Sequence, residues 1–203
     1  MTVKQFVKSN AFRCILVLTC IALVASGLLA ILNDVLYVSP EERTARAIKA
    51  IYGQEVAYQD LTDNLNPEFS THETYGHIDN LYLLETGALL FKSTGINGYN
   101  GGTVSLWLVA ITKEDGSFDR FEKVVYADNT SQTLMSQFKQ PFYDVYTIHN
   151  ATIDAGGTWW ITADEAHAAN VIANASYSSR AINNAVNMAL FYVRNVNLGG
   201  DAQ

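Results

Sequence analysis

Three serine hydroxyls and a guanidinium crowd into Ala173-Asn174-Ala175-Ser176-Tyr177-Ser178-Ser179-Arg180, immediately ahead of a run with helical spacing at Ile182, Val186, Leu190 and Val193. Alcohol side chains in that position have two uses. They can cap the helix, whose first amides lack an intrahelical acceptor, and Ser178 and Ser179 are the expected caps of a helix running from about Ser179 to Val193. They can also stand beside a phosphate, because the same amides and the helix dipole favour an anion. Arg180 falls in the first turn, where a cation opposes the dipole unless an anion is present. Ser176 adds a third alcohol just ahead of Ser178 and Ser179. Asn174 belongs to the few non-glycine types that readily enter left-handed backbone, so it can turn the chain before the helix. A serine-rich cap that binds nothing would use the same residues, so the motif takes its meaning from its surroundings.

Other chemistry is sparse. His72, His77, His149 and His167 are scattered without metal-ligand spacing, which predicts surface histidines and no metal site. Asp164-Glu165 reads as a solvated helix start, and Trp107, Trp159 and Trp160 as core residues. Nucleophile elbow, P-loop and dinucleotide fingerprint are all missing, and no residue is assigned a catalytic role. The formal charge of −7 and pI near 5.0 argue against nucleic acid as a partner, which would need clustered Lys and Arg.

Cys14 to Leu32 is free of charge and closed by Asn33-Asp34. Crossing a hydrocarbon core of ~30 Å takes about 20 apolar residues, so this run predicts a single membrane span. Lys4, Lys8 and Arg13 precede it, and Asp34, Glu41 and Glu42 follow. That asymmetry predicts a cytoplasmic N-terminus and an extracytoplasmic C-terminal domain. A cleaved signal peptide is the alternative, against which stand the long apolar span and the lack of a small-x-small site. Thr19 before Cys20 disfavours a lipoprotein signal. With Cys14 and Cys20 both inside the span, the exported domain has no cysteine for a disulfide or a metal. The chain therefore divides into residues 1–13 in the cytoplasm, an anchor at 14–36, and one domain over 37–203, which 49% hydrophobic content can supply with a core.

Past the membrane, Ser39-Pro40-Glu41-Glu42 predicts a helix start, with Ser39 as N-cap and Glu42 closing a capping box. Ala47, Ile48, Ile51 and Tyr52 form its apolar stripe, and Gly53 ends it. Residues 60–80 read as a polar loop, followed by Leu81 to Ser93. Thr103 to Lys113 and Phe118 to Ala127 flank Glu114-Asp115-Gly116 and predict a β-hairpin. The Gly98-Tyr99-Asn100-Gly101-Gly102 loop ahead of it permits close backbone approach. Trp159-Trp160-Ile161 reads as a short strand, Ala163 to Ala169 as helical, and Gly199-Gly200 as the end of the ordered chain.

This layout of anchor, capped helix, hairpin, hydroxyl motif and closing helix resembles the family of extracytoplasmic FMN-binding domains found in Rnf-type complexes and in Na⁺-translocating NADH:quinone reductases. In that family a transferase joins the FMN phosphate to the Thr of a Ser-Gly-Ala-Thr motif. Ser176 falls on that Thr, Ala175 on the Ala, Asn174 on the Gly and Ala173 on the Ser, while Asn170 replaces an upstream Asp. The family's Glu-Thr-Pro-Gly-Leu-Gly loop near the flavin falls on Gln132-Thr133-Leu134-Met135, without the Pro-Gly. The resemblance implies an α+β fold in which an N-terminal transmembrane helix precedes an FMN-binding-like domain with an antiparallel sheet and packed helices. It implies FMN held by Ser176, Asn174, Ala175, Tyr177, Ser178, Ser179, Arg180, Gln132 and Thr133. It further implies the other membrane proteins of a redox complex as partners, an FMN transferase as modifying enzyme, and electron transfer coupled to ion translocation, with no complete turnover by this chain alone. The changes at Asn170, Ala173 and Asn174 leave open a second reading, a non-redox relative that has lost flavin and serves as an interaction module.

Overall fold

The computed structural model describes residues 10–148 and 175–196. The chain divides into two units, Met1–Ile48 and Lys49–Gln203.

In the first unit the uncharged run becomes helix α1, Asn10–Leu36. Its stretch Phe12–Asn33 is 22 residues long with a mean hydropathy of 2.8, and none of it is buried in the protein. At 1.5 Å per residue it reaches ~33 Å, long and apolar enough to cross a membrane. Cys14 and Cys20 are exposed on it. Helix α2, Pro40–Tyr52, begins where the capping signal predicts, and the Glu42 amide donates to Ser39 Oγ at 3.1 Å. The Glu42 carboxylate is drawn one turn forward to Arg46 at 2.6 Å, an i,i+4 pair of opposite charges. Gly53 ends the helix at φ 75°, a conformation that favours glycine.

The second unit is built on a six-stranded antiparallel sheet ordered β1-β3-β4-β5-β6, with β2 beside β1 on the same edge of β3. Its strands are β1 Tyr58–Asp60, β2 Thr71–His72, β3 Gly76–Leu84, β4 Leu89–Gly95, β5 Val104–Thr112 and β6 Phe118–Asn129. The predicted hairpin is β5-β6, turning at Gly116 with φ 77°. Asp115 Oδ1 accepts from the Ser117 amide at 2.9 Å and hydroxyl at 2.6 Å, and those bonds hold its carboxyl below the usual range. Leu81 to Ser93 divides into two paired strands because Gly87, at φ 81°, reverses the chain.

Residues 60–80 are not one loop. They contain β2 and the first half of β3, where His77 and Asp79 alternate with buried Gly76 and Ile78. A strand with one wet face reads as polar, and a register shift between Ile78 and Asn80 blurs the alternation further. Helix α3, Gln140–Ile148, escapes sequence reading because Phe142, Tyr143, Val145 and Tyr146 are β-favouring types. All four are buried, so tertiary packing overrides propensity. The segments around Trp159 to Ala169, with Asp164 and Glu165, lie outside the described residues, as do His149, His167 and Gly199-Gly200.

The closing helix α4, Ser176–Asn195, lies on one face of the sheet. Ile182, Val186 and Leu190 are fully buried and Val193 nearly so, the stripe expected of them. Contact with β4 is backbone-close. A Cβ on Gly95 would lie 2.0 Å from the Ala181 carbonyl oxygen, so only glycine fits opposite the small residues Ala181 and Ala185. Ser93 donates to the Ala185 carbonyl at 2.7 Å, and Phe91 meets Tyr192 edge to face at 5.9 Å. Asn184 Nδ2 reaches the Ile96 carbonyl at 2.8 Å, tying α4 to the segment that leaves β4.

Candidate functional site

The hydroxyl motif and the two loops that flank the hairpin converge at the N-terminus of α4. This helix begins three residues before its predicted start. Its N-cap is Ala175, with φ −104°, ψ 20° and no side-chain capping bond, and the Ser179 amide makes an early helical bond to the Ala175 carbonyl at 2.9 Å. Ser178 and Ser179 are therefore inside the first turn and do not cap it, which corrects the sequence expectation. The amides ahead of Ser179 have no partner within a helix, and the side chain of alanine offers them none. Ser176 occupies the first helical position and is exposed. Ala175 is 2% exposed, so toward a ligand it can offer only its backbone. Asn174, Ala173 and Asn170 lie outside the described residues.

Ser178 turns inward. At 4% exposure it donates its hydroxyl to Gln132 Oε1 at 2.9 Å. The same oxygen accepts the Tyr99 amide at 3.1 Å, while Gln132 Nε2 donates to the Tyr99 carbonyl and the Thr130 carbonyl, each at 3.2 Å. Both polar atoms of this buried side chain are thus engaged by the protein. Gln132 joins the loop after β4, the loop after β6 and the first turn of α4.

Gly98 and Gly102 make room for this contact. A Cβ on Gly98 would stand 2.6 Å from Gln132 Nε2, and one on Gly102 would stand 2.5 Å from the same atom and 2.2 Å from the Thr130 carbonyl oxygen. Close approach was the expected property of the loop, and the group that approaches is the Gln132 amide. Asn100 and Gly101 reverse the loop at φ 53° and 72°, and the Gly98 amide closes it on the Gly102 carbonyl at 2.9 Å. Behind the clamp, Asn129 Nδ2 donates to the Gln132 carbonyl at 3.0 Å, and the Tyr126 hydroxyl donates to Asn129 Oδ1. Burial, then the charge of Asp128, raises the Tyr126 pKa. Thr133 is exposed beside Gln132.

Sequence reasoning passed over Tyr99 as a site residue. Its ring is exposed and meets the exposed ring of Tyr177 edge to face, with centroids 6.2 Å apart. The Arg180 guanidinium lies 5.3 Å from the Tyr177 centroid. Nothing in the spacing of Tyr99 and Tyr177 along the chain announces this meeting, which depends on the Gln132 clamp.

Elsewhere, His72 stacks on Tyr75 at 4.3 Å and accepts the Thr74 amide on Nδ1, and His77 pairs with Asp79 at 3.1 Å. Among the described residues no cluster of His, Cys, Asp and Glu has the makings of a metal centre. Trp107 is half-buried on the sheet face away from α4, beneath Lys92 and tilted against Tyr82.

Comparison of the chain with protein-family models, with curated proteins and with solved structures gives no match.

Proposed function

We propose that this chain is a membrane-anchored electron-transfer protein that carries FMN, esterified through its phosphate to Ser176, in an Rnf-like ion-translocating redox complex. The observation that carries this reading is Ser176 itself, an exposed alcohol at the first position of a helix whose N-cap, Ala175, makes no side-chain capping bond. A phosphate on Ser176 Oγ would stand beside the first-turn amides, where the helix end favours negative charge. Arg180, ill placed against the dipole of an empty helix end, gains a purpose when an anion is there. The layout of anchor, hairpin and closing helix, together with the resemblance of the Ser176 motif, supplies the rest. The charge asymmetry around α1 supports a cytoplasmic N-terminus and an exported second unit.

Attachment needs an activated donor, because direct esterification by FMN would have to expel water. A flavin dinucleotide meets the need. The Ser176 oxygen forms a bond to the flavin-side phosphorus, the pyrophosphate bond breaks, and a nucleoside monophosphate leaves with that electron pair. The hydroxyl proton passes to a base of the transferase. Once attached, the flavin supplies the redox chemistry and the protein positions and tunes it.

Co-expression with an FMN transferase tests the reading. The peptide containing Ser176 is expected to gain the mass of FMN less water, Ser176→Ala to abolish the gain, and Ser176→Thr to keep it. Colourless, unmodified protein would refute it and favour the flavin-free interaction module.

A further inference from the structure

We propose that Tyr99 and Tyr177 form the corner that receives the flavin ring system, an inference that rests on the flavin reading above. The second unit buries its large apolar side chains with few exceptions. Among its described residues, Tyr99 at 59% and Tyr177 at 52% are the strongly exposed ones. Single exposed aromatic rings need no explanation, but two in contact form a patch, and such patches mark binding surfaces.

The shape of the patch selects its ligand. The rings meet at 73° with centroids 6.2 Å apart, so a flat ring stacked on one is met edge-on by the other. Both walls are fixed by a single residue. Gln132 holds the backbone of Tyr99 on both its amide and its carbonyl, and through Ser178 it holds the first turn of α4, which carries Tyr177. Preorganised walls lose little freedom on binding. Arg180 stands over Tyr177, and no carboxylate among the described residues pairs with it. A flat aromatic system joined to an anion fits this surface, and FMN tethered at the adjacent Ser176 has both parts.

The test uses full-length protein co-expressed with an FMN transferase, with loading read by mass and the flavin ring by its fluorescence. A tyrosine touching a flavin quenches its emission by giving an electron to the excited ring, which phenylalanine cannot do. The loaded protein is therefore expected to be severalfold dimmer than free FMN. Tyr99→Phe and Tyr177→Phe should each brighten it while leaving the ring shielded from iodide. Tyr99→Leu and Tyr177→Leu should brighten it and admit iodide. Both rings are exposed, so none of these variants should disturb folding. Loaded protein that is as bright as free FMN, or whose emission and iodide access ignore all four substitutions, would overturn the corner and leave the attachment standing. Protein whose mass never rises would overturn the attachment and the corner together.

Discussion

Replacing Gln132 with Ala should loosen the candidate site more than its single buried amide suggests. The substitution removes four hydrogen bonds, to the Tyr99 amide, the Tyr99 carbonyl, the Thr130 carbonyl and the Ser178 hydroxyl. A neutral bond contributes about 1 kcal/mol net, and a buried partner left unpaired costs about 1–3 kcal/mol. The two groups of Tyr99 lie in a surface loop that water can reach, so they forfeit little beyond the net bond. Ser178, at 4% exposure, is held where water enters with difficulty. The loss should total roughly 4–6 kcal/mol. For a domain of this size that corresponds to a fall of roughly 8–24 °C in melting temperature. Thermal unfolding followed by circular dichroism measures the fall, and hydrogen exchange locates it, because the Tyr99 amide loses its acceptor and should exchange faster. Gln132→Glu separates the donors from the acceptors. The introduced carboxylate still accepts from Ser178 and the Tyr99 amide, but it turns an acceptor toward the Tyr99 and Thr130 carbonyls. Facing those oxygens raises its pKa in the folded state, so the deficit of this variant should grow as pH rises and shrink as the carboxyl protonates. An unchanged melting temperature in Gln132→Ala, with Tyr99 exchange unaltered, would refute the clamp.

Two further predictions concern the framework. Gly95→Ala should cost more than the usual about 1–3 kcal/mol of overpacking, because the new methyl would meet helix backbone at 2.0 Å and 2.3 Å, with no side chain to swing aside; urea denaturation with a near-normal midpoint would contradict the close packing of α4 on β4. Burial, then the charge of Glu122 and a hydrogen bond to it, pushes the Tyr52 pKa up to about 12, and burial raises Tyr143 and Tyr146 as well. The unfolded chain releases these protons near pH ~10 while the folded chain keeps them, so stability is full below about pH 10 and falls above it. Melting temperatures measured through that range should decline, less steeply in Tyr52→Phe, and a flat profile would count against the assigned burial.

Much of the framework is legible in the chain. The uncharged run gives α1, Ser39-Pro40 opens α2, Asp115-Gly116 turns the β5-β6 hairpin, and the stripe from Ile182 to Val193 gives α4. Each rests on a local cause, whether helical period, capping chemistry or turn geometry. What escaped has local signals that tertiary contacts override. The aromatic and β-branched residues of α3 are helical because four of them are buried. The first half of β3 looks like loop because its outward residues are polar, and it is strand because β4 and β2 pair with it.

For the site, the sequence by itself determined which groups are present: an alcohol at Ser176, a guanidinium at Arg180, an amide at Gln132 and a glycine-rich loop around Tyr99. It also determined that a helix follows the alcohol, since apolar spacing is a property of neighbours along the chain. Only the tertiary structure decided where each group points. The early start of α4 puts Ser176 outward and Ser178 inward, because successive helical residues are rotated by about 100° and burial of Ile182 and Val186 fixes the phase. The Gln132 clamp, and through it the meeting of Tyr99 with Tyr177, joins residues far apart in the chain. No local period encodes such a contact. It exists because β4, β5 and β6 pair side by side, which brings the loops at their ends against the first turn of the helix lying on them.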